Sequence, residues 1–238
     1  MRRVFIGCAA SAFLIWAASC GGLVSAAAKE GDCAAANCGN RSALRAADAA
    51  PRDYDFYVLA LSWSPGFCES VEGARDQCEP GKALGFVVHG LWPQYERGGY
   101  PSECRGARSP SRVALEKAAG LFPDERLARY EWRKHGACSG KSPSDYFADV
   151  ARAHAAVTIP PLFVKPVRDQ TFTPIDVERA FYQANPRLRR GMMAVSCRRG
   201  IMDGVRICLS KDLREFRACP EVAQRGCHNR EISAPAPL

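Results

Sequence analysis

The chain has 238 residues, 47% of them hydrophobic and 24% charged, a balance that permits a buried core and excludes disorder along the whole length. The formal charge is +8. A basic chain attracts polyanions, RNA among them, although many exported proteins are basic without binding nucleic acid.

Arg2 and Arg3 precede an apolar run from Val4 to Val24, which the small residues Ser25 to Ala28 close. A charged start, an apolar middle and an Ala-x-Ala-like end predict a signal peptide over residues 1–28, and hence a secreted or periplasmic protein. A membrane anchor is disfavoured because Ser11, Ser19, Cys20 and the Gly21-Gly22 pair break the run. No later segment is long and apolar enough to span a bilayer, so no stable membrane association is expected after removal of the leader. Lipid attachment at Cys20 is an alternative that the glycine pair suits, but Ala17-Ala18-Ser19 lacks the usual aliphatic residue. Of twelve cysteines, Cys8 and Cys20 leave with the leader, and the remaining ten read as a disulfide framework. Zinc is the rival reading, and Cys33 with Cys38 or His135 with Cys138 are its nearest spacings. No CxxC pair occurs, which argues against it. Neither a metal nor another cofactor is expected.

Residues 29–52 are rich in Ala, with Gly31, Gly39 and Pro51, and predict a linker in which Cys33 and Cys38 are near enough to close a small loop. Asn40-Arg-Ser42 fits a glycosylation sequon, relevant only in a eukaryotic secretory pathway. A single folded domain is expected over 53–238. Alternation from Tyr54 to Trp63 predicts a strand, and Ala83 to His89 a second, stopped by Gly90 and Pro93. A Gly-rich loop follows from Gln94 to Cys104. Helices are expected from Ser111 to Gly120, from Pro123 to His135, from Ser142-Pro143 through Ala151, and from Thr173-Pro174 to Asn185-Pro186. Met192 to Cys197 and Val205 to Leu209 predict a hairpin about a turn containing Asp203-Gly204. Helices gathered between strands predict an α+β domain around a mainly antiparallel sheet.

Four histidines occur: His89, His135, His154 and His228. His89 stands at the predicted end of a strand, where a structural histidine is as ordinary as a functional one. His135 has a richer setting, because Glu131 stands four residues before it and three before Lys134, which places the three on one helix face. A carboxylate, an ammonium and an imidazole so placed tune one another's proton affinity. A surface salt-bridge array is the commoner fate of such charges. RNA carries its own nucleophile, the 2′-hydroxyl, and two imidazoles can serve it as base and acid, each typically worth ~10²–10⁴-fold.

Phe86-Val-Val-His89-Gly-Leu-Trp-Pro93 and Glu131-Trp-Arg-Lys-His135-Gly-Ala-Cys138 resemble the two active-site segments of the ribonuclease T2 family. The likeness extends over roughly residues 53–230, through Leu59 to Trp63 and the tail from Ile207 to Cys227. The resemblance implies a secreted endoribonuclease of low base specificity that cuts single-stranded RNA to 2′,3′-cyclic phosphates and then 3′-phosphates, without a metal; a monomer is expected, although the sequence itself leaves oligomeric state open. It assigns His135 as general base, His89 as general acid, and Glu131 and Lys134 as stabilisers of the phosphorane. Trp92 matches a base-stacking aromatic, with Tyr100 as a second platform; such stacking is worth ~1–3 kcal/mol. Tyr130 stands where many members carry a phosphate-holding histidine, and Gln94 where some carry a base-reading acid, so phosphate affinity, pH optimum and base preference are left open. The resemblance also implies disulfides Cys68–Cys78, Cys104–Cys138, Cys197–Cys227 and Cys208–Cys219. His154 and His228 receive no role. The rivals are an RNA-binding or toxin-like protein without turnover, and a structural metalloprotein.

Overall fold

The computed structural model describes residues 53–71, 76–105 and 109–237. The predicted leader and linker, Cys20, and the Cys33–Cys38 loop lie outside them.

The elements in chain order are β1 (Phe56–Trp63), α1 (Ser64–Ser70), β2 (Phe86–Gln94), α2 (Arg112–Glu116), α3 (Glu125–Lys134) and α4 (Pro143–Ala155). There follow β3 (Gln170–Phe172), α5 (Pro174–Ala184), β4 (Met193–Arg198), β5 (Ile201–Ser210), α6 (Pro220–Gln224) and β6 (Ile232–Ala234). One six-stranded sheet runs β2-β1-β5-β6-β3, with β4 paired to β5. The pairings are antiparallel except for a single parallel pair, Ile201 with Ser233. This is the expected α+β class.

Alternation along β1 assigns its two faces. Tyr57, Leu59, Leu61 and Trp63 enter the main core, where they meet Trp132 of α3, Tyr146, Phe147 and Val150 of α4, and Phe181 of α5. Phe56 and Val58 face the other way and pack with Cys208, Cys219, Trp92 and Val222. The sheet is therefore covered by helices on one side, and its second side forms the floor of a cleft.

The helix starts follow local chemistry. Asp124, Ser142 and Thr173 each accept a hydrogen bond from the backbone N–H three residues on, at 2.8, 3.2 and 3.2 Å, which satisfies an otherwise orphaned donor. The helix expected to reach Gly120 ends at Glu116 and continues as turns.

Two boundaries differ from expectation for a physical reason. β2 does not stop at Gly90 and Pro93 but runs through both to Gln94. It is the edge strand, so Pro93, which has no N–H, costs no ladder bond on its open side. The hairpin between β4 and β5 turns at Arg199-Gly200, both at positive φ (51° and 81°), while Asp203 and Gly204 lie inside β5. Gly204 is needed there for close approach: at φ +155° it passes over the Leu61 carbonyl, which a Cβ would overlap.

Among the described residues there are four disulfides, Cys68–Cys78, Cys104–Cys138, Cys197–Cys227 and Cys208–Cys219, the pairs the resemblance implies. Among the described residues no helix is long and apolar enough to cross a membrane.

Candidate active site

A cavity of about 350 Å³ opens on the sheet face opposite the main core, beside α6. His89, Trp92, Gln94, Tyr100, Tyr130, Glu131, Lys134 and His135 all line it.

β2 delivers His89 through a bulge. The register with β1 passes from Ala60–Gly90 to Leu61–Val88, so His89 is the extra residue and has no partner across the ladder. A bulge re-aims a side chain within an otherwise regular strand. His89 is thus not at a strand end, as its sequence suggested, but mid-strand. Its Nε2 lies 3.4 Å from Glu131 Oε1, and its Nδ1 2.9 Å from Ser62 Oγ.

α3 delivers the other group. Trp132 fills the core beside Tyr146 and Phe147, with ring centroids 5.6 and 6.5 Å away, which turns the opposite side of the last helical turn towards the cavity. His135 is the residue at which α3 ends, and its backbone N–H donates to the Glu131 carbonyl at 2.9 Å. The Cys104–Cys138 bridge and a hydrogen bond from Glu103 N–H to the Lys134 carbonyl (2.8 Å) hold that end against the loop after β2.

Glu131 is 1% exposed, and its Oε2 accepts a 2.6 Å hydrogen bond from Trp92 Nε1. Gly90 makes this pairing possible, because a Cβ at that position would overlap both the carboxylate and the indole nitrogen. Gly136, after the second histidine, likewise leaves room for the Trp132 and Tyr146 rings. Tyr146 donates to the Leu91 carbonyl at 2.9 Å, tying α4 to β2 two residues beyond His89.

Burial sets the electrostatics. It pushes the Glu131 carboxyl up to about 7, against the smaller opposing effects of the Trp92 hydrogen bond and the Lys134 charge. It pushes His135 down to about 3, helped by Lys134 and His89. His89 is also lowered, first by burial; Asp203 raises it, and Arg206 and Lys134 add to the lowering. Lys134 is raised, chiefly by its 2.9 Å hydrogen bond to the Tyr130 hydroxyl. Burial disfavours the charged form of both partners, so the 3.4 Å contact of His89 with Glu131 is weaker than a full ion pair. His135 is 5% exposed, and its Nδ1 has no hydrogen-bond partner among the described residues.

The aromatic groups are half-exposed or exposed. Trp92 lies 5.3 Å from the His135 ring, and the Arg206 guanidinium stands 5.7 Å from its centroid, so the indole serves the carboxylate and both neighbours at once. Tyr100 is 40% exposed, 5.4 Å from the His135 ring. Gln94 donates to the Pro93 carbonyl at 3.0 Å. A second cavity, of about 260 Å³, adjoins on the far side of His89 and Tyr130 and includes Ser62, Gln77 and Arg126.

Sequence reading missed Ser62, Arg206, Glu221 and Arg225. Arg206 had a visible signal, a cation inside the apolar run Val205 to Leu209. Glu221 and Arg225 enter the cavity wall only through the fold, because Cys208–Cys219 carries α6 to it. Two basic runs in the sequence, Arg187-Leu-Arg-Arg190 and Arg198-Arg199, which would be candidates to guide RNA, do not line either cavity, nor do His154 and His228. No grouping of three or more His, Cys, Asp or Glu side chains suited to a metal ion occurs among the described residues.

A family model described as the ribonuclease T2 family matches residues 54–219. A ribonuclease of Aeromonas hydrophila is 51% identical over 94 residues, 40% of this chain and 42% of that protein. A probable ribonuclease of Haemophilus influenzae is 33% identical over 156 residues, 60% of this chain and 54% of that protein. The chain spans about half the length of these two relatives. The solved structure of RNase NT in complex with 5′-AMP is similar at a TM-score of 0.60 and 22% identity, over 78% of this chain and 100% of that one, a likeness of fold. With the family match covering most of the described sheet and both histidine segments, the chain belongs to the ribonuclease T2 family.

Proposed function

We propose that this protein is an exported endoribonuclease that cleaves single-stranded RNA with low base specificity, by transphosphorylation to 2′,3′-cyclic phosphates followed by hydrolysis to 3′-phosphates. The observation that carries the proposal is the convergence of His89, Glu131, Lys134 and His135, from two distant segments, on one open cavity. The names of the Aeromonas and Haemophilus relatives support it, as does the nucleotide in the RNase NT complex.

The chemistry follows from the protonation states. His135, held down to about 3, is a neutral imidazole over the working range and can take the proton of a ribose 2′-hydroxyl. The 2′-oxygen then bonds to phosphorus, the bond from phosphorus to the 5′-oxygen breaks, and protonated His89 gives its Nε2 proton to the departing oxygen. The Lys134 ammonium opposes the charge that builds on the phosphorane. Glu131, near half-protonated at neutrality, can stand beside an anionic phosphate and donate a hydrogen bond to it. In the second step His89 takes a proton from water, the water oxygen bonds to phosphorus, the bond from phosphorus to the 2′-oxygen breaks, and His135 returns a proton to that departing 2′-oxygen. Stacking on Trp92 and Tyr100 tolerates any base. Cations on the cavity wall, Lys134, Arg206 and Arg225, suit the phosphodiester chain. Four disulfides suit an oxidising compartment outside the cytosol, and a monomer is the expected state.

Incubation with RNA in excess EDTA tests the proposal. Cleavage ending in cyclic phosphate, and lost in His89→Ala and in His135→Ala, is the expected result. Binding without turnover favours an RNA-binding relative instead.

A further inference from the structure

His89 is held by more than the strand that carries it. Its Nδ1 lies 2.9 Å from the Ser62 hydroxyl on the neighbouring strand β1, while its Nε2 points the other way, towards Glu131. Two bulges frame this contact. His89 is the extra residue of β2, and Asp203 is the extra residue of β5 where the register with β4 passes from Ser196–Gly204 to Cys197–Met202. Ser62 stands between them, paired with Val87 on one side and Gly204 on the other. Alternation places Ser62 on the cleft face of β1, with Phe56 and Val58, rather than in the core. Packing alone does not call for a hydroxyl in that strand.

We propose that Ser62 is a positioning residue for the proton donor: its Oγ accepts a hydrogen bond from Nδ1–H of His89 and so keeps Nε2 aimed at the leaving oxygen. This rests on the reading of the site as an RNA-cleaving centre. An imidazolium that surrenders its Nε2 proton must keep the other on Nδ1, and the hydrogen bond at Nδ1 decides which tautomer results. With Ser62 as acceptor, the same bond persists in the charged and neutral rings. The ring therefore passes from acid in the first step to base in the second without turning over. The charges facing it are Asp203 and Arg206 from β5, and Glu131 and Lys134 from α3. Asp203 favours the charged ring, and Arg206 and Lys134 oppose it. A neutral hydroxyl supplies direction without adding to this contest.

The test compares Ser62→Ala and Ser62→Thr in the full chain on two substrates that share the upstream nucleoside. One is a dinucleotide, whose alkoxide leaving group needs a proton. The other is the 3′-(4-nitrophenyl phosphate), whose leaving group does not. Ser62→Ala is expected to lose on the order of tenfold in kcat/KM on the dinucleotide, with little loss on the nitrophenyl ester. Ser62→Thr, which keeps the hydroxyl, is expected to restore most of the rate. Equal losses on both substrates, or none on either, overturn the proposal. So does a KM effect that follows the base on the leaving side, which would make Ser62 a substrate contact in the second cavity. A readout independent of activity is the pair of ring ¹⁵N shifts of His89 in the resting protein. Ser62→Ala is expected to redistribute the proton between Nδ1 and Nε2, and unchanged shifts overturn the assignment. If the wild-type protein cleaves neither substrate, the RNA-cleaving reading fails on its own and the ¹⁵N shifts decide the role of Ser62.

Discussion

Glu131 and His135 sit one helical turn apart, and burial drives their proton affinities towards each other's usual range. His135 must be neutral to act as a base, and at about 3 it is so across the working range. His89 must be charged to act as an acid, and its affinity is lowered from 6.5, so the charged fraction falls before neutrality. The pH profile of kcat/KM should therefore be a bell on the acid side, rising from about 3 and falling below 6.5. An alkaline optimum would contradict these assignments. Glu131 makes a second prediction, about stability. Its folded value, about 7, exceeds the ordinary 4.5, so the folded state binds the extra proton, and stability is lost as pH rises from 4.5 through 7. Glu131→Gln removes this cost and keeps an acceptor for Trp92. Its stability to urea should exceed the wild type's at pH 8 by on the order of 1–3 kcal/mol and match it at pH 4. A deficit at pH 8 would show that the carboxylate is stabilised by partners rather than penalised by burial. Tyr130 acts here as the acceptor that holds Lys134, a role its sequence position alone did not disclose.

At the scale of elements, the site depends on β2 and the end of α3 being held in register. Cys104–Cys138 spans that junction. Replacing both cysteines by Ala should lower stability by about 2–4 kcal/mol and reduce kcat more than KM, as thermal melting and steady-state kinetics would show. Unchanged kcat would mean that the helix end is positioned without the bridge. The same elements show what the sequence could disclose. The helix carrying Glu131, Lys134 and His135 was legible, because acids at its start, bases at its end and a single face for the three groups are local properties. The bulge that presents His89 was not. Gly90 and Pro93 look like a strand's end until the strand is known to lie at the sheet's edge, and Gly90 is there to admit a carboxylate from another segment. Asp203-Gly204 misled for the same reason: the glycine answers a carbonyl on β1, not a turn.

Over the described residues, one face of the sheet packs against α3, α4 and α5, and the other, with α6 beside it, bears the candidate site. The α+β class could be read from the order of periodic segments, and the pairing of His89 with His135 from the resemblance of their flanking motifs. Ser62, Arg206, Glu221 and Arg225 could not be assembled that way, because they come from β1, β5, α6 and the residue after α6, and reach the two adjoining cavities only through the fold. The proposed mechanism takes the substrate's own 2′-hydroxyl as nucleophile, with the cavity's imidazoles and cations as its base, acid and charge stabilisers. The most direct measurement uses a deoxyribonucleotide strand with one internal ribonucleotide. Cleavage only on the 3′ side of that ribonucleotide, leaving a 2′,3′-cyclic phosphate, is the expected result. Cleavage at deoxyribonucleotide linkages, or products bearing 5′-phosphates, would contradict a two-histidine transphosphorylation centre.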